Sequence, residues 1–279
     1  MSLPNLSYMM DVSELRYIQS VYEAAEYRNP DILVRDCLPT LKRWLCDLRG
    51  WFQLARFRSE PFYFYVIART KYYDAVFAEA IAEKMDFIVN IGCGSDTRAY
   101  RFSDALTKNN VRVLECDQPE AIHAKQEIAR RHWPNNHVDY LAIDLNDETW
   151  PEFERWLTRN HGARMLVLME GVSPYVNEAA FGRFLDLLAT RLQPGSRVAY
   201  DYKLRGVFDG FGRSDRTQNP FRLTDVASEV AAYHRDHGYR LEHMELSSDL
   251  SLRLLPSLTS SGASLFRADG LVRLSLAGK

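Results

Sequence analysis

The chain has 279 residues, 46% hydrophobic and 26% charged, with a net charge of −2. That length can bury one large α/β core with elaborations, and the charge balance excludes the basic field that draws nucleic acid. Four cysteines without C-x-x-C spacing exclude a metal framework.

Met1-Ser2-Leu3-Pro4-Asn5 lacks the charged start and apolar core of a signal peptide. No apolar run approaches the ~20 residues that span a bilayer. A cytoplasmic protein with neither a nucleic-acid nor a membrane partner is therefore expected.

Residues 11 to 84 read as successive helices, near 12–27, 36–48 and 62–83, punctuated by Pro30, Pro39 and Pro61. On the last of these, Arg69, Tyr72, Tyr73, Val76 and Phe77 share one face. Core packing accounts for most of that stripe, while Tyr72 and Tyr73 could also wall an apolar substrate. Residues 1–84 are thus read as a helical region over a catalytic region of 85–279.

From residue 86 the pattern alternates. Strands are predicted near 87–91, 111–116, 138–143, 165–169 and 197–202, with helices near 96–107, 119–132, 147–160 and 177–192. Such alternation means a parallel sheet with right-handed crossovers. Residues 206–220 read as a loop over the crevice, 223–237 as a helix, 239–246 as a strand and 256–264 as a flexible connection. A final strand near 265–275 is hairpin-like around Ala268-Asp269-Gly270.

The first strand stops at Gly92-Cys93-Gly94, where absent Cβ atoms allow a sharp turn and close approach to a ligand. Asp117 ends the second strand, 25 residues past Gly92, near the offset at which a carboxylate meets ribose hydroxyls. Asp96 and Arg98 read as a helix-start acid and a surface cation. Asp144-Leu145, after the third strand, suits an adenine edge and face, though a helix cap also explains the acid. Glu170 ends a buried strand, where an unpaired carboxylate is costly, and Asp201-Tyr202 ends the fifth.

Acids after four strands, with no third glycine to wrap a pyrophosphate, favour a cationic ligand. S-adenosylmethionine, with its sulfonium and ammonium, fits better than NAD. A Tyr-x-x-x-Lys pair that would mark an NAD(P)-dependent oxidoreductase is not found. That reading and a non-catalytic or repurposed S-adenosylmethionine-binding fold are the alternatives.

Three segments carry a resemblance: Val-Asn-Ile-Gly-Cys-Gly-Ser-Asp-Thr-Arg-Ala-Tyr-Arg (89–101), Cys-Asp-Gln-Pro-Glu-Ala-Ile-His-Ala-Lys (116–125) and Glu-Gly-Val-Ser-Pro-Tyr-Val (170–176). Together with Ala68-Arg69-Thr70-Lys71-Tyr72-Tyr73-Asp74 they resemble the leucine carboxyl methyltransferase family, which includes polyketide O-methyltransferases. The likeness runs from about residue 11 to residue 246; Gly-Cys-Gly-Ser stands where the family has Gly-Ala-Gly.

The resemblance implies a Rossmann-like class I methyltransferase sheet, mostly parallel with an antiparallel last strand, under an N-terminal helical lid. It implies that Asn90, Gly92, Gly94, Asp117, Gln118, Asp144, Leu145, Glu170 and Gly171 bind S-adenosylmethionine. Arg69 would hold the carboxylate of the donor or of the acceptor, and Tyr175 would border the methyl group. Lys71, Tyr72, Tyr73 and Tyr202 complete the expected acceptor site.

A carboxylate acceptor is already ionised and needs orienting cations, whereas a phenol needs a base, and the seven histidines offer no obvious one. O-methylation of a small-molecule acid, or else a hydroxyl, is expected, with a secondary metabolite, a carrier-bound acid and a peptide C-terminus all compatible.

Overall fold

In a computed structural model the described residues are 11–134, 138–207 and 219–277. Their helices are α1 (Val12–Tyr22), α2 (Thr40–Arg58), α3 (Pro61–Ala82), α4 (Arg98–Arg101), α5 (Ser103–Asn109), α6 (Pro119–His132), α7 (Pro151–Arg159), α8 (Glu178–Arg191), α9 (Ala227–Asp236), α10 (Ser247–Leu254) and α11 (Leu258–Ser261). The strands are β1 (Phe87–Ile91), β2 (Arg112–Asp117), β3 (Val138–Ala142), β4 (Met165–Met169), β5 (Arg197–Leu204), β6 (Arg222–Leu223), β7 (Tyr239–Leu246) and β8 (Asp269–Leu276).

Every residue of β1 and of β4 is buried, as expected of central strands covered on both faces. Their side chains alternate between two cores. Ile88, Leu166 and Leu168 join the core under α1, α3 and α10, whereas Phe87, Val89, Val167 and Met169 join the one under α7 and α8. The sheet order is β3-β2-β1-β4-β5-β8-β7, with β6 beside the end of β5. β8 runs antiparallel to both neighbours and the other pairings are parallel, which is the Rossmann-like methyltransferase arrangement expected.

The order reverses between β1 and β4. Crossovers leave that point in opposite directions, so a crevice opens at the carboxyl ends of these strands. Proline at the first position of α3, α6 and α7 starts each helix where its missing N–H costs nothing.

Several elements differ from the sequence reading. The helix expected over 96–107 starts only at Arg98, whose backbone N–H donates to the Asp96 side chain at 2.8 Å, and it is interrupted at Phe102 to give two helices. The second helix expected over 36–48 runs from 40 to 58. α10 occupies a stretch given no element, and α11 lies inside the connection expected to be flexible. Most of the expected crevice loop, 208–218, lies outside the described residues.

Tyr202 also departs from expectation. It is fully buried in the α7/α8-side core, and its hydroxyl donates to the Thr224 carbonyl at 3.1 Å. It therefore packs against β8 and lines neither crevice cavity. A Cβ added at Gly270 would lie 2.4 Å from the Tyr202 ring. Gly270→Ala should therefore lower stability by about 1–3 kcal/mol, the usual cost of overpacking. Denaturant midpoints measure it, and an unchanged midpoint would contradict this contact.

Candidate functional site

Two adjoining cavities fill the crevice and share Gly92, Gly171 and Tyr175 in their walls. The smaller, about 390 Å³, lies over the ends of β1, β2 and β3, between Asp117, Gln118, Ile143, Asp144 and Leu145. The larger, about 580 Å³, lies between the glycine turn, α6 and the start of α2.

The turn is built by contacts on both sides. Gly92 has φ +66°, and a Cβ there would come within 2.3 Å of Val172, which follows Glu170-Gly171. Gly94 has φ +42° with no atom near its missing Cβ, so its open side faces the cavity. Asp117 accepts the Gly94 N–H at 2.7 Å and the Gln118 N–H at 2.8 Å. Gln118 donates to Asp144 at 3.0 Å, and Asp144 also accepts the Asn146 N–H at 2.9 Å. Carboxylates beside Ile143 and Leu145 give acceptors for hydroxyl and amine donors next to an apolar wall, which fits an adenosine.

The inner end is charged and buried. Arg69, on α3, sets Nε 3.2 Å from Glu170 and one terminal nitrogen 3.1 Å from Asp201. Arg98, fully buried, meets Glu170 at 2.8 Å, Asp96 at 2.7 Å and Asp74 at 2.8 Å. Arg101 grips Asp74 with two nitrogens, at 2.7 and 2.6 Å, and reaches Asp31 at 3.5 Å. Arg16, on α1, meets Asp31 at 3.1 Å and donates to the Ser95 hydroxyl at 2.6 Å. Asp201 also accepts the Tyr73 hydroxyl at 3.2 Å and the Gly171 N–H at 2.6 Å.

Four arginines and five carboxylates are thus linked, leaving one negative charge in excess. That surplus suits an ammonium or sulfonium beside Glu170, where the network meets the cavity wall. Burial, the largest single influence, raises the Asp96 and Glu170 carboxyls; Arg98 with Lys125 at Asp96, and Arg98 with Arg69 at Glu170, together with lesser contributions outweigh it, and both lie below the ordinary range.

A second buried pair braces the turn from beneath. Lys125 of α6 donates to the Gly94 carbonyl at 3.1 Å and to the Asp96 carbonyl, and sits 3.5 Å from Glu115. Burial pushes the Glu115 carboxyl up to about 7, against Lys125 and the Tyr100 hydroxyl donating at 2.8 Å.

The crevice therefore gathers Arg69, Gly92, Gly94, Asp117, Gln118, Asp144, Leu145, Glu170, Gly171 and Tyr175, and Asn90, whose amide donates to Asp96 at 2.9 Å. Three more acceptor residues fall elsewhere, in addition to Tyr202. Lys71 donates to the Glu26 carbonyl at 3.2 Å. Tyr72 packs on Tyr73 and His243, under β7. Tyr73 is buried and given over to Asp201.

Arg98 is the reverse case, since a supposed surface cation is the hub of the network. Arg16 and Asp31 carry no local signal beyond charge; Asp74 and Lys125 stand at the ends of the 68–74 and 116–125 segments that carry the resemblance.

The depressed carboxyls set a direction for acid denaturation. Unfolded, these groups take up protons near pH 4; folded, they resist. Their contribution is complete above about pH 4.5 and is lost as pH falls below it. Denaturant midpoints taken from about pH 6 to about pH 3 should drop over the acidic half of that range, and a flat profile would remove the network as a source of stability.

The family profile described as Leucine carboxyl methyltransferase matches residues 38–189, more than half the chain. A Rhodococcus jostii (strain RHA1) protein named "Putative S-adenosyl-L-methionine-dependent methyltransferase" is 26% identical over 221 residues, covering 75% of this chain and 73% of its own. A Mycobacterium ulcerans (strain Agy99) protein of the same name is 28% identical over 224 residues, covering 76% and 68%.

Among solved structures, a methyltransferase so described, with the same qualifier, from Thermobifida fusca YX superposes with a TM-score of 0.57 at 11% identity, over 99% of this chain and 98% of that one. Magnesium protoporphyrin IX methyltransferase from Synechocystis PCC 6803 gives 0.50 at 12% identity, over 85% and 99%. These two likenesses show the fold. The oxidoreductase reading falls with the profile match: this chain belongs to the leucine carboxyl methyltransferase family and is an S-adenosylmethionine-dependent methyltransferase.

Proposed function

We propose that the methyl acceptor is the carboxylate of a small organic acid held in the larger cavity. The observation that carries this reading is the composition of that cavity's wall. Arg16, Lys42, Arg69 and Lys125 line it beside Asp11, Asp96 and Glu170, an excess of one cation, and among the described residues no histidine lines either cavity. A carboxylate is ionised at neutral pH and needs orientation, not deprotonation. A phenol would need a base within hydrogen-bond reach. His234 cannot serve, since burial pushes it down to about 4 and Tyr200 takes its Nε2 at 2.5 Å.

In this reading Asp117, Gln118, Asp144 and Leu145 hold the adenosine, and Gly92 and Gly94 give it close approach. Asn90, Glu170 and Gly171 border the methionine half. Arg69 holds a carboxylate against the network, and Tyr175 closes the junction between the cavities. The bound donor supplies an electrophilic methyl: an acceptor oxygen–carbon bond forms as the carbon–sulfur bond breaks, with no proton transferred. The chain's own contribution is alignment of the two reactants.

Transfer of a labelled methyl group to a panel of carboxylic acids and phenols tests the acceptor. Label released by mild base marks an ester. Base-stable label, or none with either class, overturns the proposal.

Two variants test the residues. Asp117→Ala should weaken donor binding by about 1–3 kcal/mol, as a charge-assisted hydrogen bond is lost; calorimetric titration showing wild-type affinity would remove Asp117 from the site. Truncating Arg69 would leave buried Asp201 without its arginine and Glu170 with Arg98 alone, at about 3–5 kcal/mol, so Arg69→Lys is the sharper variant. It keeps the charge, loses the fork, and should cut kcat/KM by at least about ten-fold. Full activity would defeat the assignment.

A further inference from the structure

The helix α2 has two apolar faces. One packs inward through Cys46, Gly50 and Phe57, all buried. The other faces out: Leu41 is 69% exposed, Trp44 57%, Trp51 74% and Phe52 83%, with Leu45 and Leu48 also exposed. At about 100° per residue these six fall within roughly one-third of the helix circumference. Two indoles and a phenyl ring on one open stripe exceed scattered surface apolarity.

At the same angular spacing Lys42, Arg49 and Arg56 border one edge of the stripe and Arg58 and Asp47 the other, while Arg43 lies nearer the inward side. α2 carries Lys42, Arg43, Arg49, Arg56 and Arg58 against Asp47 alone. Lys42 and Arg49 pair with Glu14, and Arg58 with Glu23, but those carboxylates lie beneath, nearly or wholly buried, while the cations project outward. Asp47 accepts from the Tyr17 and Tyr22 hydroxyls, both at 2.8 Å. What approaches α2 from outside therefore meets aromatic rings flanked by cations.

We propose that this face of α2 docks in the headgroup layer of an anionic lipid surface. Tryptophan and phenylalanine on one side with lysine and arginine beside them is the pattern of a helix lying in a membrane interface. A second copy of the chain fits less well. An antiparallel two-fold pairing sets each flank against itself, bringing Lys42, Arg49 and Arg56 of the two copies together.

No helix among the described residues is long and apolar enough to cross a membrane, so the contact is peripheral. It revises the expectation of no membrane partner, which rested on the lack of a spanning run. Leu38, Pro39 and Lys42 at the start of α2 line the larger cavity. Docking would therefore turn that cavity's mouth towards amphiphiles in the layer.

Co-sedimentation with vesicles, without donor or acceptor, tests this apart from the acceptor assignment. The probes are phosphatidylcholine vesicles with and without phosphatidylglycerol. The wild-type chain should pellet with the anionic vesicles, and salt near 1 M should weaken that binding. Trp44→Ser/Trp51→Ser/Phe52→Ser should weaken it at least about ten-fold, and Arg56→Glu by several-fold. Both should keep the wild-type S-adenosylmethionine affinity, since none of these side chains lines a cavity, although Trp51→Ser also removes an edge contact with Tyr22 at 5.8 Å.

Failure of the wild-type chain to pellet with anionic vesicles overturns the proposal. So does binding indifferent to both variants. A concentration-dependent dimer that the triple variant abolishes, without vesicle binding, overturns it in favour of a second copy.

Discussion

The chain of arginines and carboxylates from Arg16 to Asp201 joins α1, α3, the glycine turn and the ends of β4 and β5 through side chains that water scarcely reaches. Ions so buried carry a desolvation cost that only close geometry and further hydrogen bonds offset. Here those are supplied: Arg98 meets three carboxylates, Arg101 grips Asp74 twice, and Asp201 accepts from a tyrosine and a backbone N–H as well. Asp31, Asp74 and Glu170 are each held by two arginines, so the loss of one weakens the network without leaving them bare. The network therefore fixes where the N-terminal helices sit relative to the crevice.

It also changes what the rim of acids means. Read along the chain, Glu170 and Asp201 look like free anions waiting for a cation. In the fold both are held by arginines, and the network as a whole keeps one negative charge in excess. A cationic donor then meets a modest, distributed attraction instead of a ring of bare carboxylates. Arg69 is likewise less a free ligand arm than the bridge between Glu170 and Asp201, and one face of it remains on the cavity wall.

Much of the fold was legible because its signals are local. The continuous apolar runs of β1 and β4 and the Gly92-Cys93-Gly94 turn need no distant partner to be recognised. The same holds for the acids at strand ends that line the smaller cavity. Which way a side chain points was not legible, and three of the expected aromatic residues line neither cavity. Tyr72, Tyr73 and Tyr202 sit beside the expected site in sequence, but each ring's face is set by helix or strand phase and by what packs above it. α10 was missed because Leu250, Leu252 and Leu254 alternate like a strand, while burial of Leu250 and the Ser251 hydroxyl bonded to the Ser247 carbonyl accompany a helix.

From the sequence alone came the parallel sheet, its crevice, the donor class and the residues that line the smaller cavity, since hydrophobic period and turn chemistry act over a few residues. Tertiary structure decided which charges are paired. Arg16, Asp31, Asp74, Arg98 and Lys125 come from segments up to about a hundred residues apart, and an ion's role depends on the distance to its counter-ion and on the water excluded between them. Neither quantity is written in the order of the residues.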